Sequence, residues 1–423
     1  MDRRTLLTGA AAVGASIAAG GLATSAAPAS ASSAGTLGDL REAMAARVAR
    51  GELVGMVYAV ARQGRVHVDT VGTMSLDSDQ PMRRSTPFRI ASLTKPVVST
   101  AAMMLVEDGR LALDEPVDRL LPELAGRRVL TKIDAPLDQT VPARRPITLQ
   151  DLLTLRMGYG MIFEPSFEPS YPVIKAASDL QLVMAQPDPR TPWRPDEWIR
   201  RFGTLPLMDQ PGEHWRYNAG MLVLGVLVAR AARRPLGDFL AERIFRPLGM
   251  RQTGFWLPAA QARRLPDLYV GDPQTGKLQK DVSSPPQVWS RPPAFPSAAA
   301  GLASTIDDYL AFSQLLLNRG VSRHRRLLSA ESVDLMTTNH LTPQQLAAVG
   351  PGPLGNRGWG YGMSVSVTPD AVSAPGRYGW EGGYGTLWFN DPHRDLTVIA
   401  MTQTVDFLFN GGADEFQRLA VTI

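Results

Sequence analysis

Apolar residues follow two different periods near the start of the chain. Within residues 37–50 they recur every three or four positions until Gly51 interrupts them, which predicts a helix. The next two runs, 54–61 and 65–71, are rich in valine and are separated by a Gln-Gly pair. This pattern predicts a hairpin of two antiparallel strands.

A second helical pattern is apolar around most of its circumference. It covers residues 92–107 and is followed by Gly109, which predicts a buried central helix. Beyond it, helical patterns alternate with proline-rich loops, and strand patterns return towards the carboxyl terminus. The further predicted elements are helices over 221–232, 236–245, 305–318 and 414–421, a hairpin over 269–279, loops over 164–172 and 187–195, and strands over 385–389 and 396–402.

Strand patterns therefore occupy both ends of the chain, with helical patterns between them. This arrangement predicts an α+β fold, in which an antiparallel sheet built from N- and C-terminal strands is flanked by helices and carries an inserted, mainly helical lobe. We expect a single two-lobed domain over 32–423. Its α/β lobe would comprise about 36–91 and 300–423, and its helical lobe about 92–299.

The first 31 residues are typical of an export signal. Arg3 and Arg4 precede a weakly apolar, glycine-interrupted stretch over 6–23, and an Ala-Ser-Ala sequence at 29–31 supplies a small-residue cleavage site. The paired arginines and the modest hydrophobicity indicate the twin-arginine export route. The alternative is an ordinary signal or an uncleaved anchor. No later segment is long and apolar enough to cross a bilayer, so we expect no membrane span after signal removal.

Composition narrows the possible chemistry. The chain has 423 residues, of which 44% are hydrophobic and 20% charged, as is typical of a globular protein. The absence of cysteine excludes disulfides, thiolate metal sites and a cysteine nucleophile. The five histidines form no close pair, and the 44 basic residues are mixed with 40 acidic ones. We therefore expect no metal, no cofactor and no nucleic-acid partner.

A Ser-x-x-Lys sequence opens the predicted central helix. Residues three apart share one face of a helix, which places the Lys95 ammonium within reach of the Ser92 hydroxyl. The positive field at a helix N-terminus also favours the alkoxide that a serine nucleophile becomes. Pro96 is tolerated there because the first turn has no internal N–H partner to lose. The alternative is that Ser92 only caps the helix and Lys95 is a solvated charge.

From about residue 40 to residue 403, the chain resembles the class C β-lactamases and the family VIII esterases that share their fold. The first family motif matches residues 88–95, which contain Ser92 and Lys95. Five more segments follow in the family's order, at 109–117, 147–154, 211–218, 247–250 and 300–305.

The resemblance implies a third catalytic residue. A tyrosine in a Y-x-N motif faces the serine in this family, and Tyr217 matches it. Because Lys95 would place positive charge beside the phenol, we expect a lowered pKa for Tyr217 and a role in proton transfer. The sequence departs from the motif because the asparagine, Asn218, follows Tyr217 directly. Either Asn218 still reaches the substrate carbonyl, or it caps the next helix.

The resemblance also implies an oxyanion hole and a substrate preference. Trp380 stands where β-lactamases carry the Lys or His of a Lys-Thr-Gly-type motif, and Gly382 and Gly383 follow it. A cation at this position binds a substrate carboxylate, so Trp380 favours substrates without one. Gly382 lets the backbone approach an acyl group. The backbone N–H groups of Ser92 and Gly383 would form the oxyanion hole.

These residues predict an exported serine hydrolase that acts through an acyl-enzyme on a small-molecule ester or amide. Carboxylic esters are the preferred substrates, and β-lactams or D-amino-acid peptides are the alternatives. A hypothesis of another class is a catalytically silent protein that binds cell-wall fragments. The intact set of Ser92, Lys95 and Tyr217 argues against it. No G-x-S-x-G sequence is present, which excludes the α/β-hydrolase arrangement.

Overall fold

The structure is a computed structural model and describes residues 35–163, 169–184, 191–322, 325–349 and 354–423. The predicted export signal lies outside these residues, as do parts of both predicted proline-rich loops. Over the described ranges, every helix is too short or too polar to span a bilayer.

Eight strands form one large antiparallel sheet, in the order β12-β13-β14-β15-β16-β1-β2-β3. The remaining strands pair as β4-β9, β5-β6, β7-β8 and β10-β11. The strand bounds are β1 Gly55–Arg62, β2 Arg65–Ser75, β3 Ser78–Pro81, β4 Phe88–Arg89, β5 Arg128–Leu130, β6 Thr140–Pro142, β7 Leu268–Gly271, β8 Leu278–Asp281, β9 Ala303–Ser304, β10 Val321–Ser322, β11 Arg325–Arg326, β12 Arg357–Trp359, β13 Ser364–Ser366, β14 Tyr378–Gly382, β15 Thr386–Asp391 and β16 Leu396–Thr402.

Helices cover both faces of the large sheet, and most of them lie between β3 and β12 in the sequence. Their bounds are α1 Leu37–Ala49, α2 Thr94–Glu107, α3 Leu149–Leu153, α4 Pro172–Asp179, α5 Pro195–Gly203, α6 Ala219–Ala232, α7 Leu236–Leu240, α8 Arg246–Leu248, α9 Ala259–Ala262, α10 Ile306–Leu317, α11 Ala330–Met336, α12 Pro343–Val349 and α13 Gly412–Ala420.

The two ends of the chain meet at the centre of the sheet. Strand β1 pairs with β16 from Met56 opposite Thr402 to Arg62 opposite Leu396. Tyr58 and its alternate neighbours on β1 pack with α1 and α13, whereas the residues between them face the main core. Because both faces are buried, the strand is a continuous apolar run. The predicted α+β fold with one antiparallel sheet is confirmed.

The central helix starts later than its pattern predicted. Residues Ala91–Leu93 form a 3₁₀ turn, and α2 begins at Thr94. Pro96 then lies in the first α-helical turn, where its missing N–H costs no hydrogen bond. The predicted helix over 236–245 likewise changes after Leu240, where Ala241–Phe245 form a π-helical segment. Strands β3, β12 and β13 went unpredicted because three or four residues are too short to show a period.

Candidate active site

Ser92 lies in the 3₁₀ turn between β4 and α2, and hydrogen bonds to Leu302 hold this turn in place. The Ile90 N–H donates to the Leu302 carbonyl oxygen at 3.0 Å, and the Leu302 N–H donates to Thr94 Oγ1 at 3.1 Å. Ala91, directly before Ser92, has φ +45°, a left-handed conformation that costs a residue with a side chain about 1–2 kcal/mol. The strained residue directly precedes the candidate nucleophile, and backbone strain of this kind is common at functional sites.

Lys95 lies one turn along from Ser92 and is fully buried, with 0% exposure. Its Nζ is 2.8 Å from Ser92 Oγ and 2.8 Å from the carbonyl oxygen of Ala299. Both partners are neutral oxygen atoms, and burial holds the pKa of Lys95 well below its usual value. A neutral amine has a lone pair, so Lys95 can accept the Ser92 proton. It is not the solvated charge of the alternative interpretation.

Tyr217 reaches Ser92 from just before α6. Its hydroxyl oxygen lies 2.8 Å from Ser92 Oγ, and its carbonyl oxygen accepts a 2.9 Å hydrogen bond from the Met161 N–H. Lys95 Nζ lies 4.4 Å from the phenol ring centroid. The expectation that Lys95 lowers the pKa of Tyr217 is wrong: burial raises the pKa of the phenol, against smaller lowering by its hydrogen bonds. Tyr217 is therefore a proton donor in the resting site.

Trp380 contacts the catalytic residues directly. Its indole N–H donates to the Tyr217 hydroxyl oxygen at 2.7 Å. An indole N–H can only donate, so the Tyr217 proton points away from Trp380 and towards Ser92. Lys95 Nζ donates to Ser92 Oγ and to the Ala299 carbonyl oxygen, both at 2.8 Å. Ser92 Oγ therefore lies within hydrogen-bonding distance of both the Tyr217 phenol and the Lys95 amine, the two groups that can exchange its proton.

Gly382 and Gly383 at the end of β14 have different surroundings. A Cβ atom on Gly382 would overlap the Ile90 carbonyl oxygen and the Thr386 hydroxyl, so only glycine lets β14 approach the serine turn this closely. A Cβ atom on Gly383 would meet no protein atom within 4 Å. Gly383 therefore borders open space next to the turn that carries Ser92. Its N–H as the second oxyanion donor stays a prediction.

Asn218 does not cap α6 through its side chain. Its Nδ2 donates to the Met184 carbonyl oxygen at 2.6 Å. The backbone at Asn218 has φ 81° and ψ −56°, and the Ala219 N–H donates to the Tyr217 carbonyl oxygen at 3.1 Å. This is a three-residue turn of the strained, positive-φ kind. A contact between Asn218 and substrate stays a prediction.

Aromatic rings surround the phenol of Tyr217. Their centroids lie 5.5 Å away for Trp215, 5.7 Å for Trp380, 6.2 Å for Trp359 and 6.3 Å for Phe163. Sequence reasoning did not assign a role to the other three rings or to the Ala299 carbonyl. In the described part of the chain, no three acidic or histidine side chains are grouped to hold a metal ion.

Comparisons with known proteins agree with this geometry. Residues 40–422 match the family described as Beta-lactamase. Protein Rv1367c of Mycobacterium tuberculosis is 41% identical over 364 residues, which cover 84% of this chain and 86% of that protein. Esterase EstB of Burkholderia gladioli is 31% identical over 371 residues, covering 83% of this chain and 86% of EstB.

The fold also matches solved structures. EstCE1, a hydrolase with promiscuous acyltransferase activity, superposes with a TM-score of 0.76 at 25% identity, covering 91% of this chain and 97% of EstCE1. The family match extends over nearly the whole described chain and includes Ser92, Lys95 and Tyr217, which the fold brings within hydrogen-bonding distance. The chain therefore belongs to the beta-lactamase family and is a serine hydrolase.

Proposed function

We propose that this protein is an esterase that cleaves carboxylic esters through an acyl-enzyme on Ser92. The observation that carries the proposal is the connected set of hydrogen bonds that joins Trp380, Tyr217, Ser92 and the fully buried Lys95, whose pKa is lowered by burial. Such a set activates the serine hydroxyl without any cofactor. EstB, a relative with 31% identity, is named as an esterase, which supports the same substrate class.

Acylation follows from the positions of the protons. Ser92 Oγ attacks the ester carbonyl carbon while its proton moves to Lys95 Nζ, 2.8 Å away. When the tetrahedral intermediate collapses, the bond to the leaving alcohol oxygen breaks and Tyr217 donates its proton to that oxygen. The Lys95 ammonium returns a proton to the Tyr217 phenolate, which restores both residues. Water then attacks the acyl-enzyme with the same groups acting in reverse, and the acid is released.

The position of Trp380 supports esters over carboxylated substrates. An uncharged indole N–H occupies the position of the β-lactamase cation and is already bonded to Tyr217. The nearest guanidinium to this ring, that of Arg357, forms an ion pair with Glu381 at 2.5 Å. Among the described residues, a β-lactam carboxylate would therefore find no unpaired cation at Trp380. We expect rapid hydrolysis of short-chain aryl esters and slow hydrolysis of cephalosporins.

The decisive experiment asks whether one serine is activated. Wild-type protein and Ser92→Ala are exposed to a 4-nitrophenyl alkylphosphonate, and the mass of each is measured. We expect one adduct on wild type and none on Ser92→Ala, with ester hydrolysis reduced at least about 100-fold in the variant. An unlabelled wild type would favour the catalytically silent binding protein. Equal rates on a chromogenic cephalosporin and a nitrophenyl ester would favour the β-lactamase alternative.

Acyl transfer to an alcohol is a second candidate activity. EstCE1, which is 25% identical to this chain, is described as a hydrolase with promiscuous acyltransferase activity, which supports this candidate. An alcohol would attack the same acyl-enzyme and release a new ester. We expect part of the butyryl group of vinyl butyrate to appear as benzyl butyrate when benzyl alcohol is added. Butyric acid as the only product would exclude this activity.

We further propose export by the twin-arginine route. The support is the paired arginines Arg3 and Arg4, the glycine-interrupted apolar stretch and the Ala-Ser-Ala site at 29–31. Expression in a bacterium with and without a functional twin-arginine system tests this. We expect processed protein outside the cytoplasm only when the system works, and an Arg3→Lys, Arg4→Lys variant should stay inside. Export of that variant would contradict the proposal.

A further inference from the structure

An arginine outside the catalytic set contacts the far side of the Trp380–Tyr217 pair. Arg357 begins β12, and its guanidinium carbon lies 4.9 Å from the centroid of the Trp380 ring. The same ring donates its N–H to the Tyr217 hydroxyl at 2.7 Å. Arg357 is thus separated from the proton donor of the reaction by a single aromatic side chain.

Glu381 holds this guanidinium in place. Arg357 Nη1 lies 2.5 Å from Glu381 Oε1, and Arg357 Nε donates to the Leu354 carbonyl oxygen at 3.1 Å. Glu381 follows Trp380 directly on β14, so one strand supplies both the ring and the carboxylate that contact Arg357. Both charged groups also border a cavity of about 270 Å³, so solvent screens part of their interaction.

A cation on the face of an indole changes what its N–H can do. The guanidinium attracts the π electrons, which makes the N–H a stronger donor to Tyr217. A stronger donor matters most when Tyr217 has given up its proton and its oxygen carries negative charge. Burial is the main influence on the pKa of Tyr217, but Glu381 also raises it and Arg357 lowers it.

We infer that Arg357, held by Glu381, is a positioning residue that acts through Trp380 to assist proton donation by Tyr217 to the leaving group. The inference rests on the proposed esterase function, because it concerns one step of that reaction. It predicts a dependence on the leaving group: an alkoxide must be protonated to depart, whereas 4-nitrophenolate departs without a proton.

The test compares ethyl butyrate with 4-nitrophenyl butyrate, which form the same acyl-enzyme. For Arg357→Met, we expect kcat/KM for ethyl butyrate to fall about fivefold to tenfold, the size of a partly desolvated cation–π contact, and kcat/KM for the nitrophenyl ester to stay within about twofold. For Glu381→Gln, which leaves the guanidinium uncompensated, we expect no fall for ethyl butyrate. An equal fall for both esters in both variants would show a purely structural ion pair.

The chain contains a matched control. Arg201 lies 3.5 Å from the centroid of the Trp193 ring and pairs with Glu197. The side-chain exposures of that pair, 25% and 32%, match those of Arg357 and Glu381, 25% and 31%. Arg201→Met should lower Tm as much as Arg357→Met does but leave the ratio of the two ester rates unchanged. A change of that ratio in Arg201→Met would overturn the inference.

The outcomes separate the inference from the function on which it rests. Failure of the wild type to hydrolyse either ester would reject the proposed function and the inference with it. Hydrolysis by the wild type with an unchanged ester ratio in Arg357→Met would reject only the role of Arg357.

Discussion

The indole nitrogen of Trp380 lies 2.7 Å from the phenol oxygen of Tyr217, and this hydrogen bond joins the sheet to the catalytic residues of the helical core. The rings are tilted by 49° with centroids 5.7 Å apart, so the contact is made edge-on through the N–H. Trp380 therefore holds the Tyr217 phenol in a fixed orientation.

Trp380→Phe should slow the reaction without preventing folding. The variant keeps most of the ring but loses the donor that stabilises a developing phenolate, so we expect kcat to fall about 10- to 100-fold with little change in KM. Trp359→Phe is the control, because it removes an indole N–H that donates to Leu153 and not to Tyr217. Equal losses of kcat in the two variants would contradict the role of the Trp380 N–H.

Lys95→Met should change how stability depends on pH. Because burial lowers the pKa of Lys95 in the folded state, the unfolded chain binds a proton at this residue between the lowered value and the ordinary one near 10.5. Wild-type stability therefore rises with pH through that window, and the methionine variant lacks this contribution. We expect the free energy of unfolding of wild type to increase relative to that of Lys95→Met between pH 7 and pH 10, as measured by urea unfolding.

The exposed Lys175 supplies the control for this measurement, since its side chain is 74% exposed. The free energy of unfolding of Lys175→Met should show the same pH dependence as that of the wild type. In the same preparations, kcat/KM of Lys95→Met should be lower by about 10²- to 10⁴-fold, the usual contribution of a general base. A free-energy difference between wild type and Lys95→Met that does not vary with pH would show that Lys95 is charged in the folded protein.

The two glycines after Trp380 should respond differently to the same substitution. In Gly382→Ala the new methyl group overlaps the Ile90 carbonyl oxygen, so we expect a loss of about 1–3 kcal/mol in stability together with a loss of activity. Gly383→Ala meets no protein atom within 4 Å, so its stability should stay within about 0.5 kcal/mol of wild type. Gly383→Ala keeps the backbone N–H, so the test of that group is Gly383→Pro, which removes it and should lose activity if the N–H binds the oxyanion. Full activity in a folded Gly383→Pro would exclude that role.

Asn218 offers a test of backbone strain beside Tyr217. Alanine and glycine both remove the hydrogen bond to the Met184 carbonyl, but only glycine accepts φ 81° without penalty. We therefore expect Asn218→Gly to be more stable than Asn218→Ala by about 1 kcal/mol, measured by urea unfolding. Equal stabilities would show that the turn relaxes when the side chain is removed. Lower kcat in both variants would show that the Met184 contact helps to orient Tyr217.

Much of the fold could be predicted because its signals are local. The β1–β2 hairpin depends on two valine-rich runs and the turn between them, and it forms with Arg62 opposite Arg65, as the spacing of the runs requires. The i, i+3 relation of Ser92 and Lys95 is equally local, because one turn of backbone sets their separation. The meeting of N- and C-terminal strands in one sheet was predicted because most strand patterns occur near the two ends of the chain.

The charge states at the site depended on tertiary structure. The sequence alone predicted that Ser92 and Lys95 lie side by side, and the resemblance to a known family implied that Tyr217 joins them. It did not determine that Lys95 is fully buried, because that burial is produced by segments far apart in the chain, including 299–302 and α6. Burial lowers the pKa of an amine, so the direction of this shift at Lys95 depends on the assembled core.

The contact between Trp380 and Tyr217 also depended on tertiary structure. The two residues are 163 positions apart. Trp380 lies on β14, the third strand from one edge of the sheet, and Tyr217 lies just before α6. No local period relates them, since periods describe which face a side chain takes within its own element and not which element it meets. The hydrogen bond from Trp380 to Tyr217 was therefore decided by the packing of the sheet against the helical core.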